Sequence, residues 1–236
     1  MTELLYWQQP FIFECEATIV CVDRDHEGLW VAFDQTIFYP QGGGQPSDSG
    51  WIQSTGMDIP VLSLRFDRKT QMVEHQIETE LAIGTKVIMS IDREKRLLHA
   101  GLHSAGHLMH YGLECMEFGL LKCVKSYHFP DSPCIDYQFD AETYPRLCDP
   151  DGLESFRQSL EHTIRTLIDR SLRISTYEEV SESARDTDKV RMVAIEGSKH
   201  PRPCGGTHLS NTGDIPGFAV RKIVRKRDIL KISYSI

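Results

Sequence analysis

No stretch of this chain approaches the ~18–20 consecutive apolar residues needed to cross a bilayer. The first twenty residues, MTELLYWQQPFIFECEATIV, carry acids where a secretory leader would carry bases. No membrane span is expected, and the cytoplasm is the expected location. Cysteine is sparse and unpatterned: the seven thiols at 15, 21, 115, 123, 134, 148 and 204 form an odd set without framework spacing. Such a set fits buried thiols and a metal ligand in reducing surroundings better than disulfides. There is also no internal repeat, low-complexity tract or long linker. What is present, 236 residues with 40% hydrophobic and 25% charged content, can bury one sizeable core or two modest ones, which excludes disorder and collagen-like repetition.

The formal charge of −8 is uneven: residues 1–92 hold 14 acidic and 5 basic side chains, residues 93–236 hold 20 and 21. Near the C-terminus Arg221, Lys222, Arg225, Lys226, Arg227 and Lys231 stand against one acid, Asp228. Such a patch either attracts phosphate or is a solvated hairpin with charged edges. Arg93, Lys95 and Arg96 are further candidates for phosphate contacts.

Up to about residue 90, FECEATIVCVDRD, GLWVAFDQTIFYP, MDIPVLSLRFD, MVEHQIE and TKVIMSID alternate β-branched and aromatic residues with polar ones at regular turn spacing. This predicts a small antiparallel barrel or sandwich. At Asp92, an N-cap candidate, the pattern switches: Leu97, Leu98, Leu102, Leu108 and Met109 have helical spacing, giving a helix of about six turns. CVKSYHFPD and CIDYQFD read as strands, GLESFRQSLEHTIRTLIDRSLR as a second long helix, STYEEV as a strand, SESARDTD as a polar loop or short turn, and VRMVAIEG, AVRKIVRK and ILKISYSI as strands. The expected fold is α+β: a β-barrel domain over 1–91, then a domain over 92–236 whose long helices pack on a largely antiparallel sheet.

The sharpest chemical signal is HSAGH on the first helix. Residues four apart share a helix face, so His103 and His107 can reach one metal ion; His99 and His110, at i−4 and i+7 from His103, leave the pairing open. A second half-site follows in Cys204-Gly-Gly-Thr-His208, where Pro203 and two glycines enforce a tight loop. Imidazole and thiolate together match zinc, and a single His3Cys zinc site formed by His103, His107, Cys204 and His208 is expected. Four protein ligands normally make a closed structural site, whereas hydrolytic zinc keeps a position open. Ser104 stands where HExxH has its glutamate, which disfavours a metalloprotease. The stretch FYPQGGGQPSDSG lacks the GK[ST] ending of a P-loop. It forms either a hairpin turn or an element whose backbone N–H groups approach a ligand, with Gln45 as donor and acceptor.

FYPQGGGQPSDSG, HSAGH and PCGGTH followed by LSNTGDI, in that order and with VRMVAIEG and SYHFPDSP between, resemble the alanyl-tRNA editing proteins, freestanding relatives of the editing domain of alanyl-tRNA synthetase. The resemblance runs from about Phe11 to the C-terminus. It implies an N-terminal barrel before a zinc-bearing editing domain, and a hydrolase that cleaves the ester joining a wrong amino acid, serine or glycine, to tRNA for alanine, tRNA(Ala). Carried over, His103, His107, Cys204 and His208 become ligands of Zn2+, and Gly42, Gly43, Gly44 and Gln45 the glycine-rich element near the aminoacyl end. Thr207, beside His208, is a candidate polar contact, and no residue is assigned as general base. Gly106 stands where the synthetase domains often place threonine, so amino-acid preference stays open. The chain starts directly at the barrel, so it is expected to correct charging, not perform it. The expected partner is tRNA(Ala) charged with the wrong amino acid, with no membrane and no obligate protein partner. The rivals are a zinc-stabilised RNA-binding module without turnover and a hydrolase of another ester or amide.

Overall fold

Alternation in the first ninety residues becomes a seven-stranded antiparallel sheet. Its strands are β1 (Glu14–Asp25), β2 (Gly28–Phe33), β3 (Gly50–Ser54), β4 (Met57–Pro60), β5 (Ser63–Asp67), β6 (Met72–Ile77) and β7 (Lys86–Ile91), in spatial order β4-β3-β7-β1-β2-β6-β5. The period of two is visible in what is buried: Val73, His75 and Ile77 on β6, and Val87, Met89 and Ile91 on β7, point inward. These side chains join Ile19, Val31, Phe33, Ile37, Phe38 and Ile52 in one core. The twelve-residue β1 pairs with β7 through residues 14–18 and with β2 through residues 19–25, with a bulge between Ile19 and Cys21. A bulge bends a strand, so one strand serves both halves of the sheet. Among the described residues no pairing joins β4 to β5. Of the expected small barrel the structure shows the antiparallel sheet: β4 and β5 follow one another in the chain, and Val61 and Leu62 between them donate to the carbonyls of Gly50 on β3 (3.0 Å) and Gln76 on β6 (2.9 Å).

The structure is a computed structural model describing residues 2–116, 118, 121–180 and 189–236; the polar loop expected at 181–188 lies outside the described residues. The chain divides into two compact units, one of residues 1–42 and 46–97, the other of residues 43–45 and 98–236.

Helix α1 (Arg93–Cys115) begins where Asp92 accepts a hydrogen bond from the Lys95 amide at 3.1 Å, the N-cap geometry the sequence suggested. Its first turn corrects one expectation. Arg96 is not a surface phosphate contact: its side chain is fully buried in the first unit and paired with Asp48. Its guanidinium also donates to the carbonyls of Pro10 (2.7 Å) and Ile37 (2.5 Å). Asp48 in turn accepts from the Tyr39 amide at 2.6 Å.

In the second unit, β8 (Cys123–Tyr127), β9 (Cys134–Gln138), β13 (Ala219–Lys226) and β14 (Ile229–Ser235) form an antiparallel sheet ordered β8-β9-β14-β13. Strand β10 (Ile174–Val180), β11 (Lys189–Ile195) and β12 (Arg202–Pro203) form a smaller one. Helix α2 (Pro150–Asp169) starts on Pro150 with Asp149 accepting from the Gly152 amide at 2.9 Å. It buries Phe156, Leu160, Ile164 and Leu167, a three-to-four-residue stripe. It lies against β13, where Arg157 donates to the Val220 carbonyl at 2.9 Å and Glu161 accepts from the Val220 amide at 3.0 Å. Gly112 of α1 lets the two helices approach, since a Cβ there would sit 2.7 Å from Ile164. Among the described residues no helix is long and apolar enough to cross a membrane.

Candidate metal centre

The four clustered residues and the groups that touch them lie in the second unit. One turn of α1 separates His103 from His107, and their rings stand 5.3 Å apart between centroids. The CGGTH loop is brought to them from β12 and fixed to β11. The Cys204 amide donates to the Arg191 carbonyl at 2.9 Å, and the Arg191 guanidinium returns bonds to the carbonyls of Cys204 (2.8 Å) and Gly206 (2.9 Å). Gly206 is required by proximity: a Cβ there would lie 2.2 Å from the His103 ring. The loop thus turns Cys204 and His208 toward the helix pair. One ligand atom from each of His103, His107, Cys204 and His208 lies within 4.8 Å of the others.

Hydrogen bonds settle which imidazole nitrogens are free. His103 Nδ1 faces Gln45 Oε1 at 2.8 Å. That oxygen is an acceptor, so Nδ1 carries the proton and Nε2 presents its lone pair, 3.3 Å from Cys204 Sγ. His208 Nε2 lies at the same 3.3 Å from Sγ, with its Nδ1 toward Ser104 Oγ at 3.5 Å. Two nitrogens at that distance from one sulfur resemble the edges, about 3.5 Å, of a tetrahedron with metal–sulfur bonds of ~2.3 Å and metal–nitrogen bonds of ~2.0 Å. Burial, then the neighbouring cationic groups, pushes His103 and His208 well below the usual imidazole range, and His107 down to about 3. Neutral imidazole is the ligating form. Burial pushes the Cys204 thiol up, so a cation entering here would displace its proton.

The residues of the glycine-rich stretch fall into different places. Gly42 accepts from the Tyr39 hydroxyl at 2.8 Å within the first unit. Gly43 and Gly44 have φ of +54° and +81°, and a Cβ on Gly44 would lie 2.6 Å from the Ser126 carbonyl oxygen; only glycine fits there. Gln45 is fully buried. Besides meeting His103, it accepts from the Thr207 amide (3.0 Å) and donates to the Thr207 hydroxyl (2.9 Å). Gln45 and Thr207 therefore act on the centre through His103 and the CGGTH loop. Replacing Gln45 by leucine removes the acceptor that orients His103, and metal affinity is expected to fall by about 10–100-fold, measured by competition with a chromophoric chelator.

Two further histidines belong to the surroundings. His110 bonds to Tyr137 at 2.8 Å and is not among the four clustered residues. His128, which the sequence reading did not single out, stacks on His103 with centroids 4.6 Å apart and bonds through Nδ1 to the Tyr234 hydroxyl at 2.5 Å. A Cβ at Gly106 would lie 2.3 Å from its ring. The imidazole thus fills the space that a side chain at 106 would need. A small hollow of about 20 Å³ lies beside the cluster, bordered by His107, His110, Tyr111, Glu114, His200 and Arg202.

The geometry can be set beside known proteins. Residues 12–95 match the family of class II (A) tRNA synthetases, and residues 190–231, which include Cys204 and His208, match the second additional domain of threonyl and alanyl tRNA synthetases. Alanyl-tRNA editing protein AlaX-M of Methanosarcina mazei is 28% identical over 243 residues, covering 96% of this chain and 92% of that protein. Its counterpart in Methanosarcina barkeri is 29% identical over 244 residues, covering 96% and 95%. The chain is a homologue of the alanyl-tRNA editing proteins. An alanine–tRNA ligase of Pseudothermotoga lettingae is 33% identical over 221 residues, but this editing-protein homologue spans only 24% of that ligase's length.

Proposed function

We propose that the chain hydrolyses the ester of tRNA(Ala) bearing the wrong amino acid, serine or glycine, and releases the amino acid and free tRNA. The observation that carries this reading is the convergence of His103, His107, Cys204 and His208 in a homologue of alanyl-tRNA editing proteins. Three imidazoles and one thiol suit Zn2+ by softness and number, and these four residues are its proposed ligands. When bound, zinc supplies positive charge that positions and polarises an acyl group.

The chain's own residues hold the rest of the arrangement. Gln45 fixes the His103 tautomer, Thr207 holds Gln45, and Arg191 holds the loop backbone. Gly42, Gly43 and Gly44, with Gln45 and Thr207, are the proposed neighbours of the aminoacyl end. Aminoacyl esters are already activated, so proximity and electrostatic stabilisation can carry much of the rate. In this reading residues 1–91 form a β-domain and residues 92–236 the editing domain, working in the cytoplasm.

Purified protein with seryl-, glycyl- and alanyl-tRNA(Ala) tests the proposal. Deacylation of the seryl or glycyl form, with the alanyl form spared, is expected. A zinc-stabilised RNA-binding module is the alternative, favoured by the four protein ligands that would complete a tetrahedron. Tight tRNA binding without any release of amino acid would establish it instead.

A further inference from the structure

The C-terminal basic run divides between two sides of the four-stranded sheet, and only one side is free. Directly opposed residues in an antiparallel ladder share a face. The register pairs Val220 with Tyr234, Ile223 with Ile232, and Arg225 with Leu230. Val220, Leu230, Ile232 and Tyr234 are buried, so this is the side turned to the unit's interior. Arg225 goes with it, its guanidinium 5.9 Å from the Phe139 ring centroid. The same register puts Lys222 opposite Ser233, Val224 opposite Lys231, and Lys226 opposite Ile229. Across the sheet, Lys231 faces Asp136 and Asp136 faces Lys125. Lys125, Lys222, Lys226 and Lys231 are thus four exposed cations on one outer face that spans all four strands.

At the β8 end of that face is a hollow of about 230 Å³ lined by Lys125, Tyr127, Ser132, Cys134, Asp136 and Lys231. The Tyr127 ring stacks on Phe129, with centroids 4.5 Å apart and planes within 7°. Asp136 Oδ1 is buried without a hydrogen-bond partner. An unpartnered acceptor calls for a donor. Lysines in a row suit a phosphodiester backbone, an aromatic ring suits the face of a base, and a lone acceptor suits a base N–H. An acidic protein surface would satisfy the lysines but leave the ring and the acceptor unused.

We infer that the outer face of this sheet is an RNA-docking surface, with phosphates along Lys222, Lys226, Lys231 and Lys125 and one base seated by Tyr127 and Asp136. The inference rests on the proposed reading of tRNA(Ala) as substrate. It goes beyond that reading in naming a surface made by strand register, not by the basic run as a whole.

The test compares the full chain with its Lys125→Gln/Lys222→Gln/Lys226→Gln/Lys231→Gln variant in binding uncharged tRNA(Ala) over a salt series. All four lysines are exposed, and an unchanged urea midpoint checks that the fold persists; the pair Lys125→Gln/Lys231→Gln serves if it does not. Expected results are binding at least ~10-fold weaker and a log–log salt slope shallower by about 0.7 for each lysine removed. With aminoacyl-tRNA, KM should rise and kcat should stay. Arg225→Gln, on the opposite side, should change neither binding nor slope. Wild-type affinity and slope in the fourfold variant, or an equal loss in Arg225→Gln, would overturn the docking surface. Wild-type protein that binds tRNA through these lysines but deacylates nothing would sink the proposed hydrolysis and leave the surface standing.

Discussion

Replacing Cys204 by alanine should empty the metal centre and stop deacylation in one step. Cys204 Sγ is the point where the two halves of the cluster meet, 3.3 Å from both His103 Nε2 and His208 Nε2. Of the four clustered residues it alone carries sulfur and can bring a negative charge. Without it, three imidazoles face one another in a space where burial already disfavours any charge on them. Elemental analysis should show bound zinc falling from about one ion per chain toward none. Deacylation should drop by two orders of magnitude or more, comparable with the ~3–4 kcal/mol lost when one electrostatic stabiliser is removed from an active site. Cys204→Ser keeps the size but not the softness and should behave almost as badly. Full zinc content in Cys204→Ala would show that the cysteine is not a ligand.

The second large effect concerns stability in the first unit. Asp48→Asn leaves Arg96 charged, fully buried and without its counter-ion. Breaking a buried pair from one side costs about 3–5 kcal/mol, read as a lowered urea midpoint with unchanged slope. Removing both partners, as in Asp48→Leu/Arg96→Met, should recover part of that loss because no lone charge remains. Recovery will be incomplete, since the Pro10 and Ile37 carbonyls and the Tyr39 amide lose their partners as well. A midpoint in Asp48→Asn equal to wild type would show that the pair contributes nothing.

These two cases also mark what sequence can and cannot say. HSAGH and CGGTH carry their chemistry in residue type and spacing, and helical periodicity marks both long helices, the first with its cap at Asp92; the cap of the second, Asp149, falls ahead of the stretch read as helical. Arg96 reads locally as one more base in DREKR; its burial depends on Asp48, which is 48 positions away. His128 is equally silent, and Gln45 is legible as a polar residue in its glycine stretch but not as the partner of His103, because these contacts join residues 58 to 162 positions apart.

The packing of His128 against Gly106 has an evolutionary consequence. With a Cβ at 106 placed only 2.3 Å from that imidazole, the two positions are not independent. A lineage can acquire a side chain at 106 only after the ring at 128 has shrunk or swung away. The opposite order passes through an intermediate whose stacked His103 is pushed out of place. Substitutions at this pair are therefore epistatic and ordered in time, and a chain that keeps the histidine is committed to the glycine.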